Sequence, residues 1–380
     1  MTASQPSSVP LSVLDLVPVA VGSDAGEALA HSLDLVARVE AAGYQRFWFA
    51  EHHLNPGVIG SSPAVLIALA GGVTDRIRLG SGAVQLGHRT ALSVAEEFGL
   101  LATAFPGRID LGLGRSGGRP PGPAPADKLA TESSTAAART VDGLLIPPPF
   151  TGWAVLAGSP RFGAQRGLLN PRGAETVDYD EQVVTILELL AGKHTTAEGI
   201  DVAVPAATAP EVFVLGSSGG ESAAVAGRRG VPFAANYHVA PSAVLEAVTA
   251  YRAQFRPSAE LDRPHVIVSA DVVVSDTDTR AEHLAAGYAQ WVHSIRTGAG
   301  AIQYPSPAQA ATWSPTAADR NLVADRLATR FVGSPATVVE QLSVLARVTG
   351  ADELLITSIT HDHEARARGH ELLIETWTRR

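Results

Sequence analysis

Apolar and polar positions along the chain alternate between two periods. Residues 11–17 have strand character, and residues 24–42 place Leu29, Leu33, Val36, Ala37 and Val39 on one helical stripe that stops at Gly43. Arg46-Phe47-Trp48-Phe49-Ala50 is a second strand run. Runs this apolar are covered on both faces, as in a parallel sheet flanked by helices, so the chain opens β-α-β. The alternation continues as helix 62–73, strand 77–82, helix 90–104 and strand 109–114, which ends in Arg115. It resumes as strand 211–215, helix 221–229, strand 231–235, helix 241–255, strand 265–275 and helix 279–293. Ser334 as N-cap and Pro335 at the first helical position then introduce a helix to residue 348, followed by strand 353–358 and helix 364–378.

Eight strands with intervening helices predict an α/β (β/α)8 TIM barrel in one domain over 1–380, with its chemistry at the C-terminal mouth. Two stretches interrupt the pattern. Residues 116–209 are rich in Pro and Gly, including Arg119-Pro120-Pro121-Gly122-Pro123 and Pro147-Pro148-Pro149. A structureless loop that long is improbable, so the expectation is an insertion over the mouth with short helices, the clearest at 175–190. A second irregular segment spans 297–318 and carries Tyr304 and Trp313.

Composition narrows the function. The 380 residues, 46% of them hydrophobic, suffice for a large core. A net charge of −9 without a Lys/Arg cluster argues against nucleic acid or an anionic membrane as partner. Cysteine is absent, which excludes disulfides, a thiol nucleophile and thiolate metal sites. The first residues lack a basic flank and an apolar core, and no run of about 18 apolar residues occurs, so a soluble, cytoplasmic protein is expected.

The second strand breaks abruptly into Glu51-His52-His53, which the barrel places at its mouth. Adjacent strand residues face opposite ways, so one of the two histidines is expected to be structural, and Glu51 either orients a histidine or pairs with a barrel cation. His238, after the sixth strand, is either a second mouth histidine or a satisfied structural one. Gly112-Leu113-Gly114-Arg115-Ser116-Gly117 matches a dinucleotide fingerprint, but the prolines that follow cannot begin the required helix. Gly216-Ser217-Ser218-Gly219-Gly220 is a better anion site, because it lets backbone approach a ligand at a helix N-terminus. A tight turn with a serine cap is the plainer alternative. Arg115 is placed to add a cation to the same anion. Glu51-His52-His53 with His361-Asp362-His363-Glu364 offers enough ligands for a metallohydrolase. The first strand lacks His-x-His, however, and Asp362 and Glu364 suit the first turn of the last helix, so no metal is expected.

The chain resembles the bacterial luciferase-like flavin-dependent monooxygenases over nearly its whole length. The resemblance is carried by Ala41-Ala42-Gly43-Tyr44, Phe49-Ala50-Glu51-His52-His53, Ile77-Arg78-Leu79-Gly80-Ser81-Gly82-Ala83-Val84, Ala95-Glu96-Glu97-Phe98 and Phe105 through Arg115. It resumes at Val212-Phe213-Val214-Leu215-Gly216-Ser217-Ser218, Phe331-Val332-Gly333-Ser334-Pro335 and Asp352-Glu353-Leu354-Leu355-Ile356-Thr357. It implies a barrel that binds reduced FMN at its mouth and uses O2 to oxygenate a small organic substrate through a flavin C4a-hydroperoxide. His52, matching the first histidine of the family's Glu-His-His, would be the catalytic acid or base, titrating near neutrality.

Gly82-Ala83 would form a non-prolyl cis peptide against the isoalloxazine ring. Arg115 with Ser217, Ser218, Gly219 and Gly220 would hold the phosphate, leaving His53 and His238 to face substrate. Phe150, Trp153 and Phe162 would either close a dry cavity as a lid or pack the insertion onto the barrel. With no nicotinamide site in the sequence, a separate reductase is expected to supply the flavin. The alternative within the fold is an F420-dependent oxidoreductase that transfers hydride without oxygen, and relatives' barrel helices suggest a homodimer. The sequence departs from the family at residues 85–91 and 116–174, both near the mouth, which leaves the substrate open.

Overall fold

The apolar strand runs of this chain are buried on both faces. The structure, a computed structural model, describes residues 9–115, 137–153, 156, 158–170 and 177–379. Among these, eight parallel strands run β1 (Leu11–Asp15), β2 (Arg46–Phe49), β3 (Arg78–Ser81), β4 (Ile109–Gly114), β5 (Glu211–Gly216), β6 (Phe233–Asn236), β7 (Val266–Val274) and β8 (Glu353–Thr357). Each pairs with the next. Val13 registers with Phe47, Phe49 with Ser81, Leu79 with Ile109, and Val214 with Phe233. Pairing of β4 with β5 (Glu211 with Asp110) and of β8 with β1 (Ile356 with Val13) closes the barrel.

The period-2 alternation sorts side chains into two cores. Val13, Phe47, Phe49, Leu111, Leu113, Val214, Val268 and Ile356 point outward against the helices. Leu14, Trp48, Phe213, Leu215, Ile267 and Leu355 fill the interior. Full burial of each large side chain stabilises by about 1.5–3 kcal/mol. The inward positions of β4 are Asp110, Gly112 and Gly114, and a Cβ on Gly112 would lie 2.1 Å from the Ser81 carbonyl oxygen. Gly112→Ala would therefore force β3 and β4 apart.

Helices cover the outside: α1 (Ala25–Ala42), α2 (Pro63–Gly71), α3 (Ala91–Ala104), α4 (Tyr179–Leu190), α5 (Glu221–Arg229), α6 (Val244–Gln254), α7 (Asp278–Leu284), α8 (Tyr288–Arg296), α9 (Ala317–Ala328), α10 (Pro335–Thr349) and α11 (His363–Thr378). The capping signals in the sequence operate as expected. Asp24 accepts from the Glu27 amide to start α1, and Gly43 ends that helix at φ 95°, a conformation that costs glycine little. Among the described residues no helix is long and apolar enough to cross a membrane.

Two expectations change. The helix foreseen at 279–293 is two, α7 and α8, separated near Gly287, whose Cβ would meet the Pro305 carbonyl at 2.5 Å. The segment 297–318 contains a short helix, Pro307–Thr312, with a Ser306/Gln309 capping box, and α9 opens with a Thr316/Asp319 box. Both were obscured because these helices bury little: Val323 is the one buried residue of α9.

The insertion is also more divided than expected. Its hairpin, Arg139–Val141 with Leu144–Ile146, lies along the flank of α10, where Arg347 donates to the Asp142 carbonyl at 2.9 Å. Helix Pro160–Leu169 meets the mouth, with Arg161 bonded to the Leu54 carbonyl. α4 packs on α3 as an ordinary barrel helix. The Pro-rich 119–123 and residues 175–176 lie outside the described residues.

The N-terminal end of the barrel holds a charged cluster that the sequence did not reveal. Arg46 bonds Glu353 at 3.1 Å, Asp110 at 3.0 Å and Glu211 at 2.9 Å, while Arg78 joins Asp110 from the side. Burial alone would lower the Arg46 pKa, but Asp110, Glu353 and Glu211 raise it above its ordinary value.

Candidate functional site

The residues singled out in the sequence follow four adjacent strands. His52 lies after β2, Ala83 after β3, Arg115 directly after β4, and Ser217 to Gly220 after β5. The His52 amide is pinned to the Gly60 carbonyl at 2.7 Å. Its Nδ1 is buried and, among the described residues, has no hydrogen-bond partner. Burial, reinforced by His53 and opposed by Glu51, lowers its pKa to about 4. This corrects the expectation of titration near neutrality: at pH 7 the ring is neutral, with a nitrogen free to exchange a hydrogen bond or a proton.

Glu51 and His53 join a cluster beside His52. Glu51 Oε1 lies 2.9 Å from His53 Nε2, 3.0 Å from His88 Nε2 and 3.6 Å from Arg89 Nε, and its Oε2 accepts from the Gln85 amide at 3.0 Å. Burial would raise the Glu51 pKa, but His88, the Gln85 amide, His53 and Arg89 together hold it below the usual range. The segment that departs from the family's loop thus supplies this cluster's donors. Glu51, His53 and His88 are also spaced to surround a cation. The Arg89 guanidinium and the Gln85 amide already serve that carboxylate. The two halves of the proposed metal set do not share one cluster: His361 bonds the Val21 carbonyl and Asp362 caps α11, while His363 and Glu364 gather with Asp34, where Glu364 also pairs with Arg38.

The Gly82-Ala83 peptide is cis, as the resemblance implied. Ala83 packs against the interior cluster, and a Cβ on Gly114 would approach the Ala83 Cβ at 3.1 Å. A Cβ on Gly82 would likewise meet Leu14 Cδ1 at 2.6 Å, so the glycines at 82, 112 and 114 let β3 and β4 pack closely at their C-terminal ends.

At β5 the turn leads into α5, whose N-cap Gly220 has no side-chain cap bond. The amides there and the positive end of the helix dipole suit an anion. Arg115, 62% exposed, reaches the same turn, where it pairs with Glu221 at 2.8 Å. Ser217 Oγ accepts from Asn236 at 3.0 Å. Tyr179, the first residue of α4, was not foreseen; its hydroxyl donates to the Leu113 carbonyl at 3.3 Å and lies near Ser222 and Arg115. Burial raises its pKa, so it stays a phenol, able to donate. Sequence pattern could not reveal it, because Tyr179 reads as an ordinary first-turn aromatic.

His238 stands across the mouth, with Nδ1 2.6 Å from Ser269 Oγ. Burial, then Arg326, lowers its pKa to about 3, and His52 contributes in the same direction. In the insertion, Phe150 lies under the Arg296 guanidinium at 4.1 Å and against Trp153, whereas Trp153 and Phe162 remain largely exposed.

Comparison with known proteins agrees with this geometry. The luciferase-like monooxygenase family model matches residues 9–127 and 163–353. The chain is 34% identical to Bacillus subtilis (strain 168) YvbT over all of both chains, and 32% identical to an Escherichia coli (strain K12) luciferase-like monooxygenase over 97% of each. The crystal structure of apo-MsnO8 superimposes with a TM-score of 0.75 at 28% identity, covering 98% of each chain. At fold level alone, the oxygenating constituent of Pseudomonas putida 3,6-diketocamphane monooxygenase in complex with FMN gives 0.62 at 19% identity, covering 98% of this chain and 99% of that one. An F420-dependent secondary alcohol dehydrogenase gives 0.60 at 12%, covering 98% and 100%. A family match across most of the chain, with relatives above 30% identity over nearly all of it, places this protein in the luciferase-like monooxygenase family.

Proposed function

We propose that the protein is a flavin-dependent monooxygenase that uses reduced FMN and O2 to oxygenate a small organic substrate. The observation that carries this reading is the pairing of a neutral His52, its Nδ1 buried and unpartnered, with closely packed glycines at the ends of β3 and β4 and an uncapped helix N-terminus after β5. These features fit the flavin's reactive edge, its flat ring and its phosphate respectively. Arg115, Ser217, Ser218, Gly219 and Gly220, with the Tyr179 hydroxyl, would hold the phosphate, and Gly82-Ala83 would support the ring. Reduced flavin supplies the electrons with which O2 is split. The chain's own contribution is to bind and orient it, keep water out and manage one proton at His52 Nδ1. His53, held by Glu51, and His238, held by Ser269, would line the substrate side.

The F420 reading, hydride transfer without oxygen, draws support from the F420-dependent enzyme that shares the barrel. FMN is favoured because the E. coli relative at 32% identity is named a monooxygenase, whereas the F420 enzyme is 12% identical. Anaerobic titration with reduced FMN and reduced F420, followed by rapid mixing with O2, separates the two. Saturable FMN binding with oxygen consumption coupled to product supports the proposal, and tight F420 binding without oxygen reaction refutes it.

The rest of the setting follows from the same reading: a cytoplasmic enzyme fed by a separate flavin reductase. A second copy of the chain would cover the exposed apolar residues Val65 and Leu69 of α2 and Leu92 and Leu100 of α3, two helices that pack side by side. Leu100→Glu should halve the mass measured by light scattering, and an unchanged mass would exclude this face.

A further inference from the structure

Opposite the phosphate turn, the mouth carries a second polar cluster that the flavin reading does not use. Tyr288 is its hub. The Arg330 guanidinium stacks 3.7 Å from the Tyr288 ring centroid, Arg326 Nη2 donates to the Tyr288 hydroxyl at 2.8 Å, and the Trp291 ring lies 5.9 Å away. Trp291 in turn faces Tyr304, with ring centroids 6.5 Å apart. Asp271 holds Arg330 Nε at 2.8 Å, and Thr357 sits directly across from Asp271 on β8. These aromatics belong to the same apolar cluster as Leu16, Ala50 and Leu215, against which Ala83 packs, so the cluster is continuous with the flavin side.

Its hydrogen bonding is incomplete. Among the described residues, Trp291 Nε1, Arg326 Nε, Arg330 Nη2 and Thr357 Oγ1 are buried without a partner, and the Tyr304 hydroxyl lies beside Arg330 without a well-formed hydrogen bond. The Arg330 side chain is 4% exposed. Indole and guanidinium N–H groups only donate, so what completes them must be an acceptor. Arg330 is paired with Asp271, whereas Arg326 forms no ion pair among the described residues and the nearby His238 is neutral, which leaves one positive charge in excess. Such a set, walled by three aromatic rings, matches an oxyanion attached to an apolar body.

We propose that the substrate is an apolar carboxylate, its carboxylate bound by Arg326 and Arg330 and its body lying along Tyr288, Trp291 and Tyr304. The substrate class rests on the oxygenase reading; the binding site itself does not. The test uses n-alkanoates from butanoate to decanoate and the matching n-alcohols, titrated into flavin-free protein by calorimetry and tryptophan fluorescence. At least one alkanoate should bind saturably and about tenfold or more tighter than its alcohol. Arg326→Gln should abolish that preference while leaving alcohol affinity, melting temperature and reduced-FMN affinity as they were, and Arg326→Lys should restore part of it. Absence of binding across the series, equal affinity for acid and alcohol, or an unaltered preference in Arg326→Gln would overturn the proposal. Reduced FMN is titrated separately. FMN binding without alkanoate binding defeats this inference alone, and alkanoate binding without FMN binding defeats only the flavin reading.

Discussion

Replacing Arg115 by Ala separates a ligand contact from a structural one. In the free protein Arg115 is 62% exposed and paired with Glu221, itself 36% exposed. A surface pair of this kind contributes about 0–1 kcal/mol, so thermal stability should barely change. A charge-assisted hydrogen bond to a phosphate is worth about 1.5–3 kcal/mol, so Arg115→Ala should weaken reduced FMN binding roughly 10- to 150-fold. Riboflavin, which has the ring but no phosphate, serves as the internal control, and its affinity should stay constant. Glu221→Gln should act in the opposite sense, because it removes a negative charge beside the anion site and frees Arg115, tightening FMN several-fold. Anaerobic fluorescence titrations of both flavins against the three proteins measure all of this. Equal weakening of riboflavin, or unchanged FMN affinity in Arg115→Ala, would refute the assignment of the phosphate to this turn.

Three further outcomes are expected. His52→Ala should keep FMN affinity within about twofold while slowing turnover by about 100-fold or more; a parallel loss of binding would make His52 structural. Arg46→Ala leaves Glu353 buried without its cation, while Asp110 keeps Arg78, and should lower stability by about 3–5 kcal/mol in urea unfolding, against which a loss below about 1 kcal/mol would count. His370, buried to 2% exposure, has its pKa lowered to about 3 by burial and then by Arg366. Because the folded value lies below the unfolded value of about 6.5, the unfolded chain takes up this proton first. Stability is therefore full above pH 6.5 and falls toward pH 3 by at most about 1.4 kcal/mol per pH unit from this residue. His370→Gln should flatten that slope, as measured by melting temperature against pH.

The barrel was legible because each strand announces itself twice, by an apolar run and by a flanking helix with a cap at each end. Asp24 and Gly43 around α1, and Ser334 with Pro335 before α10, illustrate the point. The positions of His52, Ala83, Arg115 and Ser217 followed from strand ends alone. What escaped depended on contacts far apart in sequence. The floor cluster joins Arg46, Arg78, Asp110, Glu211 and Glu353 from four adjoining strands and β8, and no local pattern marks it. Tyr179 reaches the end of β4 because α4 packs on α3, and Arg326 and Arg330 reach the Tyr288 cluster through a weakly apolar helix and the turn after it. The neutrality of His52 also came from its surroundings, since the histidine side chain alone suggests a group titrating near pH 6.5.

A crystal structure of the protein with bound FMN addresses the central proposal most directly. The expected map places the phosphate within hydrogen-bond distance of Ser217, Ser218 and Arg115, the ring against Gly82-Ala83, and His52 Nδ1 beside the ring's reactive edge. FMN lodged away from the mouth, or held with its phosphate remote from the turn after β5, would contradict it.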